Sequence, residues 1–211
     1  MDTQEEHFEI NETDNLIDNI EMVSHFLGSS IKYKWKWSAI ALHQALYGAL
    51  ISVLQGTDPR QTVIDRQRDT GKAVMLHVYR VPIGVIASSF GKNEETIREW
   101  ITNPYLISLD EALRRVKRIE HLPPLINARP LETSTEEDDA IRRLTKEFRN
   151  EFEHFSPKAW VVFTSGMPTI FSNILRVIRF LEFESNCVTM STEQEQHLKA
   201  AIEKMEHHLK Q

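Results

Sequence analysis

The stretch from about Lys34 to Gln55 has almost no polar face. Apolar side chains go nearly all the way round its helical projection: Trp37, Ile40, Ala41, Leu42, Ala45, Leu46, Ala49, Leu50 and Val53. A helix that is apolar on every side must be surrounded by other elements, so this stretch predicts the buried centre of a bundle. Its polar exceptions are His43 and Gln44. Because buried polar groups need partners, we expect structural hydrogen bonds from them, with a chemical role as the alternative.

Amphipathic stretches flank this central helix and predict its neighbours. Their apolar residues recur at helical spacing, and Ser or Thr residues that are typical of helix caps precede several of them. The predicted helices run from about Thr13 to Leu27, from Leu109 to about Ile119, from Ser134 onward, from near Pro168 to Glu184, and from Ser191 or Thr192 to the end. Only seven glycines and eight prolines occur, which favours helices over a turn-rich β fold. The sequence therefore predicts an all-α helical bundle of about six helices.

The length and charge of the chain bound its organisation. With 211 residues it can bury one good core, so we expect a single domain over 1–211, with an acidic arm at 1–12 and an inserted helical hairpin at about 56–104. The net charge is −6, but the first 31 residues hold eight acids and no Lys or Arg. The remainder therefore carries 31 − 8 = 23 acids against 25 bases, which is close to neutral.

The cellular compartment is predicted from what the sequence lacks. The lone Cys187 excludes an intramolecular disulfide and fits a reducing cytoplasm. No signal segment opens the chain, and no apolar run approaches the length needed to cross a bilayer. We expect a cytoplasmic protein that does not bind membranes and that needs no cofactor and no metal.

A segment with chemical potential closes the helix that begins after Ser134. It reads Glu147-Phe-Arg-Asn-Glu-Phe-Glu-His-Phe-Ser-Pro157, with Arg149 and His154 about 140° apart on an ideal helix. The two side chains can act together only if the helix ends or bends near His154, or if a second copy of the chain supplies one of them. Pro157 favours the first arrangement, because a residue before proline is pushed out of the α region.

The pattern Arg149-Asn150-x-x-x-His154 resembles the signature of the HEPN superfamily, a group of helical ribonucleases and RNA-binding proteins. The resemblance implies a HEPN-like four-helix core and a homodimer, in which two motifs meet and cleave RNA without metal. It also implies that a protein partner, such as an antitoxin, could bind the chain. Some toxin members carry a tyrosine two residues after the histidine. Ser156 stands there in this chain, so regulation through that tyrosine is not expected.

The residue types suit RNA cleavage. Transesterification requires removal of the 2′-hydroxyl proton, protonation of the leaving oxygen and stabilisation of the phosphorane charge. His154 can transfer protons near neutral pH, and Arg149 offers a planar donor fork to phosphate oxygens. Asn150 could orient either group. A basic cluster around the motif predicts phosphate contacts, with solvated helix faces as the alternative: Arg142, Arg143, Lys146 and Lys158.

Two other hypotheses remain open. Arg149 could pair with Glu153 at i,i+4 while His154 only satisfies the helix end. Residues 82–101 resemble a helix-turn-helix, with Ala87 at the helix crossing and Gly91 at the turn, which would make the protein a DNA-binding module. Glu94 and Glu95 would then face phosphates, so a plain helical hairpin is favoured and DNA is the less favoured partner. A non-catalytic helical adaptor for a protein partner is the other form of this alternative.

Overall fold

The structure is a computed structural model that describes residues 11–55, 83–89, 91, 93–95, 106–125, 127–153 and 161–210. Within these residues the chain forms an all-α bundle, as the sequence predicts, with six helices of eight or more residues. The helices are α1 (Glu12–Gly28), α2 (Lys34–Gln55), α3 (Ile83–Ser89, seven residues), α4 (Leu109–Val116), α5 (Thr135–Arg142), α6 (Met167–Arg179) and α7 (Thr192–Leu209). A 3₁₀ turn, Ile119–His121, follows α4.

Helix α2 lies at the centre of the bundle and has the bounds that its composition predicts. It packs against α1, α4, α6 and the continuation of α5, while α7 packs along the other side of α1. Leu42, Leu46 and Leu50 on α2 are fully buried. One expectation was wrong, because α2 is not covered on every side: Trp37 is 43% exposed. An accessible stripe therefore runs along this otherwise buried helix.

The length and apolar composition of α2 also meet the criteria for a membrane-spanning helix. This contradicts the expectation from the sequence that no apolar run is long enough. In the most apolar 18-residue stretch of α2, 67% is buried inside the bundle. The same composition is typical of a core helix, which is the position that α2 occupies here.

Serine caps begin three of the outer helices, as predicted. Ser134 and Glu137 form a complete capping box at α5, and Ser191 and Gln194 form another at α7. At α4 only half of the box is present. Ser108 accepts a hydrogen bond from the Glu111 backbone, but the Glu111 carboxylate turns away to two arginines. The bidentate Arg114 guanidinium, at 2.6 and 2.7 Å, is the main reason that the pKa of Glu111 falls to about 2.

The end of α4 differs from the prediction. The helix stops at Val116 rather than at about Ile119, and Ile119 is 55% exposed in the 3₁₀ turn. A backbone hydrogen bond from Leu131 to the Val116 carbonyl, at 2.9 Å, joins the chain beyond the Pro123-Pro124 linker to the end of α4. The linker thus returns the chain to the bundle where α5 begins.

Two helices continue as π-helices. Arg143–Arg149 follows α5 directly and leads into a last α turn, Asn150–Glu153, while Phe180–Glu184 continues α6. In a π-helix each backbone N–H bonds to the carbonyl five residues earlier. One side-chain bond has this spacing: Arg142 Nη1 donates to Glu147 Oε1 at 2.7 Å across five residues. Thr145 Oγ1 donates to the Ile141 carbonyl at 2.9 Å and is buried there.

The π-helix after α6 buries a carboxyl group. Glu182 is 5% exposed, and within the described residues neither of its carboxylate oxygens has a hydrogen-bond partner. Removal from water disfavours the charged form, so burial raises the pKa of Glu182 to about 8. The sequence predicts a helix to Glu184, which is confirmed, but it gives no indication of the buried acid.

The predicted hairpin is described only in part. Helix α3 is followed by Gly91, whose φ of +59° is the left-handed conformation that glycine adopts readily. Ala87 is buried, and the Glu94 carboxylate lies 3.0 Å from where a Cβ on Gly84 would stand, so the chain folds back beside α3. The rest of the 56–104 insertion, and most of the acidic arm, lie outside the described residues.

Candidate functional site

A cleft of about 340 Å³ opens where α2, the N-terminus of α4 and the π-helix after α5 meet. Its volume lies within the range that is usual for ligand pockets. The lining is polar for the most part, and each of the three elements contributes to it: His43, Gln44, Tyr47, Ser108, Leu109, Asp110, Thr145, Lys146, Arg149 and Asn150. Two of the predicted catalytic residues, Arg149 and Asn150, are in this set.

Arg149 is the last residue of the π-helix, and Asn150 begins the α turn after it. Arg149 is half-buried, with its Nε buried, and its Nη1 donates to Asn150 Oδ1 at 3.2 Å. The amide of Asn150 therefore contacts the guanidinium, one of the two groups that the sequence analysis expects it to orient. A half-buried arginine at the edge of a cleft can present part of its donor fork to an anion.

Lys146 brings a second positive charge to the cleft. It lies on the π-helix one turn before Arg149, and its ammonium group forms an ion pair with Asp110 of α4. The cleft therefore contains two cations and one carboxylate among its lining residues, with His43 counted as neutral. The N-terminus of α4 also opens here, and the positive end of a helix dipole favours anions. The electrostatic balance of the cleft favours a negatively charged ligand.

Helix α2 supplies the wall of the cleft that sequence reasoning missed. His43, Gln44 and Tyr47 line it, and the Tyr47 hydroxyl donates to the Ile107 carbonyl at 2.7 Å. Burial raises the pKa of Tyr47. The only signal in the sequence was that His43 and Gln44 interrupt an apolar helix. That signal identifies exceptions, but it cannot tell which of them face a cleft.

The predicted basic cluster divides between different surfaces. Lys146 lines the cleft, whereas Arg142 and Arg143 do not. Arg142 bonds Asp139 and Glu147, both at 2.7 Å, and these carboxylates raise its pKa. Arg143 reaches the same Glu147 at 3.4 Å. Both arginines are thus engaged with carboxylates of their own helix, as expected for a solvated helix face.

His154 and Lys158 lie outside the described residues, which stop at Glu153 and resume at Val161. The position of His154 relative to Arg149 therefore lies outside the described part of the chain. The same holds for the alternative ion pair between Arg149 and the Glu153 side chain. The last described turn, Asn150–Glu153, is α-helical and leads from the cleft toward His154.

A second cleft, of about 410 Å³, lies at the far end of α2 and has different chemistry. Its described lining includes Glu12, Gln55 and the buried thiol of Cys187, but no Lys or Arg. Burial raises the pKa of this thiol, which lowers its reactivity. Of the two clefts, only the one at Arg149 has the charge to hold a phosphate.

Comparison with protein-family models, with curated proteins and with solved structures finds no match to this chain. The fold class consequently rests on the helices themselves, and the functional hypothesis rests on the residues of the cleft and on the motif that ends at His154.

Proposed function

We propose that the protein binds RNA in the cleft at Arg149 and cleaves it without metal, with Arg149 and His154 as the reactive pair. The observation that carries this proposal is that Arg149, Asn150 and Lys146 line one cleft at the end of the motif helix. A phosphodiester is the ligand that this combination suits. It is a small anion, and it offers oxygen acceptors both to a guanidinium and to an ammonium group.

In the proposed reaction, Arg149 binds the scissile phosphate and stabilises the charge that develops on it. Donors that are fixed before the reaction lower the barrier most, and contact with Asn150 helps to fix the guanidinium. His154 removes the 2′-hydroxyl proton, the 2′-oxygen attacks phosphorus, and the 5′-oxygen of the next nucleotide leaves with a proton. The products are a cyclic 2′,3′-phosphate and a free 5′-hydroxyl.

The reaction needs two proton-transfer groups, and one motif has a single histidine. A homodimer would supply the second as His154 of another copy, related by a two-fold axis. His43 lines the same cleft and offers an imidazole from the same chain. The dimer remains our proposal because it follows from the motif, and His43→Ala is the variant that separates the two arrangements.

The DNA-binding alternative gains no support from its described residues. Glu94 and Glu95, which follow the turn at Gly91, are both exposed. Their carboxylates would repel a phosphate backbone. An adaptor for a protein partner would need no reactive pair. A wild type that neither binds nor cleaves RNA would therefore favour the adaptor.

The test is cleavage of a mixed single-stranded RNA pool in EDTA. We expect the wild type to cleave and His154→Ala to lose about 100-fold or more in rate, which is the usual contribution of a proton-transfer group. Arg149→Lys keeps the charge but loses the planar fork, so it should also be slowed. The matched control is His197→Ala, which removes an exposed histidine of α7 that bonds Glu21 of α1 and does not line the cleft.

Circular dichroism and sedimentation establish that each variant keeps its helicity and its oligomeric state. Equal rates for the wild type and His154→Ala would refute the proposed reactive pair. RNA that is bound but never cleaved would leave a binding protein, and the catalytic part of the proposal would be wrong.

A further inference from the structure

The turn between α1 and α2 alternates basic and aromatic residues in a way that the proposed cleft does not explain. After Ile31, the sequence reads Lys32-Tyr-Lys-Trp-Lys-Trp37. No Asp or Glu occurs between Met22 and Thr57, so this part of an otherwise acidic protein carries only positive charge. A local excess of lysine beside aromatic rings is the composition that binds single-stranded nucleic acids.

The structure divides these residues into two sets. Trp35 packs edge-to-face on the buried Phe171, with ring centroids 5.5 Å apart, and Lys34 Nζ donates to the Leu27 carbonyl at 3.2 Å. These two hold the turn to the bundle. Tyr33 is 59% exposed, Trp37 is 43% exposed and Lys32 is exposed as well, so these three form the outward set, and the half-buried Lys36 joins them through its contact with the Trp37 ring.

The outward aromatic rings have defined positions. The Trp37 ring stacks on Phe26 of α1, with centroids 6.2 Å apart and planes 30° from parallel. Lys36 Nζ lies 4.8 Å from the centroid of Trp37, and Lys32 Nζ lies 5.1 Å from that of Tyr33. Each of these rings thus has an ammonium group over it in a cation–π contact, in the position that a base would take when the lysine turns to a phosphate.

The charges of Lys32 and Lys36 are also available. In the part of the chain that the structure describes, neither ammonium group forms an ion pair, whereas Lys117, Lys146 and Lys199 each pair with a carboxylate. An ammonium group that no carboxylate neutralises releases counterions when a phosphate replaces them. The patch is therefore complementary in charge to a polyanion.

The patch and the cleft lie on one face of α2. Lys36 and His43 are seven residues apart, as are Trp37 and Gln44, so each pair is separated by about two helical turns and about 10 Å along the axis. His43 and Gln44 line the cleft. The residues between them on this face include Ile40, which is half-buried and leaves the stripe open.

We propose that this accessible stripe of α2, from Tyr33 past Lys36 and Trp37 to Gln44, is a platform that binds single-stranded RNA and leads it into the cleft at Arg149. Bases stack on Tyr33 and Trp37, and the lysines contact the phosphates between them. The proposal rests on the function proposed above, and it adds where the strand lies outside the cleft. A lipid surface fits less well, because Lys36, His43 and Gln44 alternate with the apolar side chains of the stripe and leave no continuous apolar face.

The test measures binding by fluorescence anisotropy of a labelled oligouridine of about 12 nucleotides, a length suited to such platforms, made with 2′-deoxy sugars so that it cannot be cleaved. Lys32→Glu/Lys36→Glu should weaken binding about tenfold or more and reduce the salt dependence of affinity measured from about 50 to about 200 mM. The matched control, Lys199→Glu/Lys204→Glu, makes the same charge change on exposed lysines of α7 and should remain within about twofold of wild type. Tyr33→Ala removes a stacking ring without a charge and should cost about fivefold or more.

The dinucleotide UpA separates the platform from the cleft, because it is too short to reach both. Lys32→Glu/Lys36→Glu should cleave UpA with the wild-type kcat/KM and should cleave the long RNA poorly, while Arg149→Lys should be slow on both. Oligouridine binding by Lys32→Glu/Lys36→Glu that equals wild type would overturn the platform and leave the cleft proposal intact. A wild type that binds phosphatidylserine vesicles but no RNA would overturn both.

Discussion

The buried carboxyl of Glu182 should make the stability of the protein fall as the pH rises. The folded protein retains this proton up to about pH 8, whereas an unfolded glutamate releases it near its ordinary value of 4.5. Between these values the folded state binds more protons than the unfolded state, so each added pH unit lowers the free energy of unfolding by up to about 1.4 kcal/mol. Summed over pH 5 to 9, the loss from this one group is about 4 kcal/mol.

The perturbation that reveals this effect is Glu182→Gln, which keeps the shape of the side chain and removes its titration. Below about pH 5 the variant and the wild type should have similar stability, and the wild type should fall behind progressively up to about pH 8. Urea denaturation followed by circular dichroism at closely spaced pH values gives both profiles. The matched control is Glu184→Gln, two residues further on, where the side chain is 57% exposed.

Parallel pH profiles for the wild type and Glu182→Gln would refute this reasoning. They would mean that the carboxyl ionises in the folded protein without cost, and therefore that water or a charged partner reaches it. A difference of the opposite sign, with the wild type gaining on the variant as the pH rises, would mean that the folded state stabilises the carboxylate.

Three substitutions test other contacts. Asp110→Asn removes the carboxylate that pairs with Lys146, so RNA affinity should rise about threefold and its salt dependence should steepen; unchanged affinity would place Lys146 away from the RNA. Tyr47→Phe removes the hydrogen bond to Ile107 and should lower the free energy of unfolding in urea by about 1 kcal/mol, so an unchanged midpoint would contradict this contact. Ser134→Ala removes the cap of α5 and should lower the free energy of unfolding by about 1 kcal/mol. Thermal unfolding measures this loss, with Ser30→Ala at an exposed serine as the control. Equal melting temperatures for the two variants would show that the capping box adds no stability.

The architecture was predictable because the apolar pattern determines which helix is central. Only a helix that must be covered on most sides has the composition of α2, and the capping residues Ser134 and Ser191 mark where its neighbours begin. Trp37 shows the limit of this reasoning. Its large apolar ring was counted with the core, but it faces outward and stacks on Phe26, and that position depends on how α1 and α2 pack.

The candidate site was predictable on one side only. Arg149 and Asn150 stand next to each other in the sequence, so a local motif finds both. His43 and Tyr47 come to the cleft from a helix about 100 residues earlier, and no local pattern connects them to Arg149. Similarly, Lys146 and Arg142 look equivalent in the sequence, but the π-helix turns one to the cleft and the other to Glu147.

The π-helix Arg143–Arg149 has a consequence for how the length of this segment can vary. Each of its turns holds one more residue than an α turn, because the backbone bonds span five residues instead of four. Deleting a single residue between Leu144 and Phe148 would let the segment return to the α register. Because the wide π turns already accommodate the extra residue, everything after the deletion, including Asn150, would keep nearly the same orientation relative to α2. The same deletion within the α-helical part, Thr135–Arg142, would instead rotate everything after it by about 100°, one residue of helical phase, so the segment Arg143–Arg149 should tolerate the loss of one residue far better than α5 does.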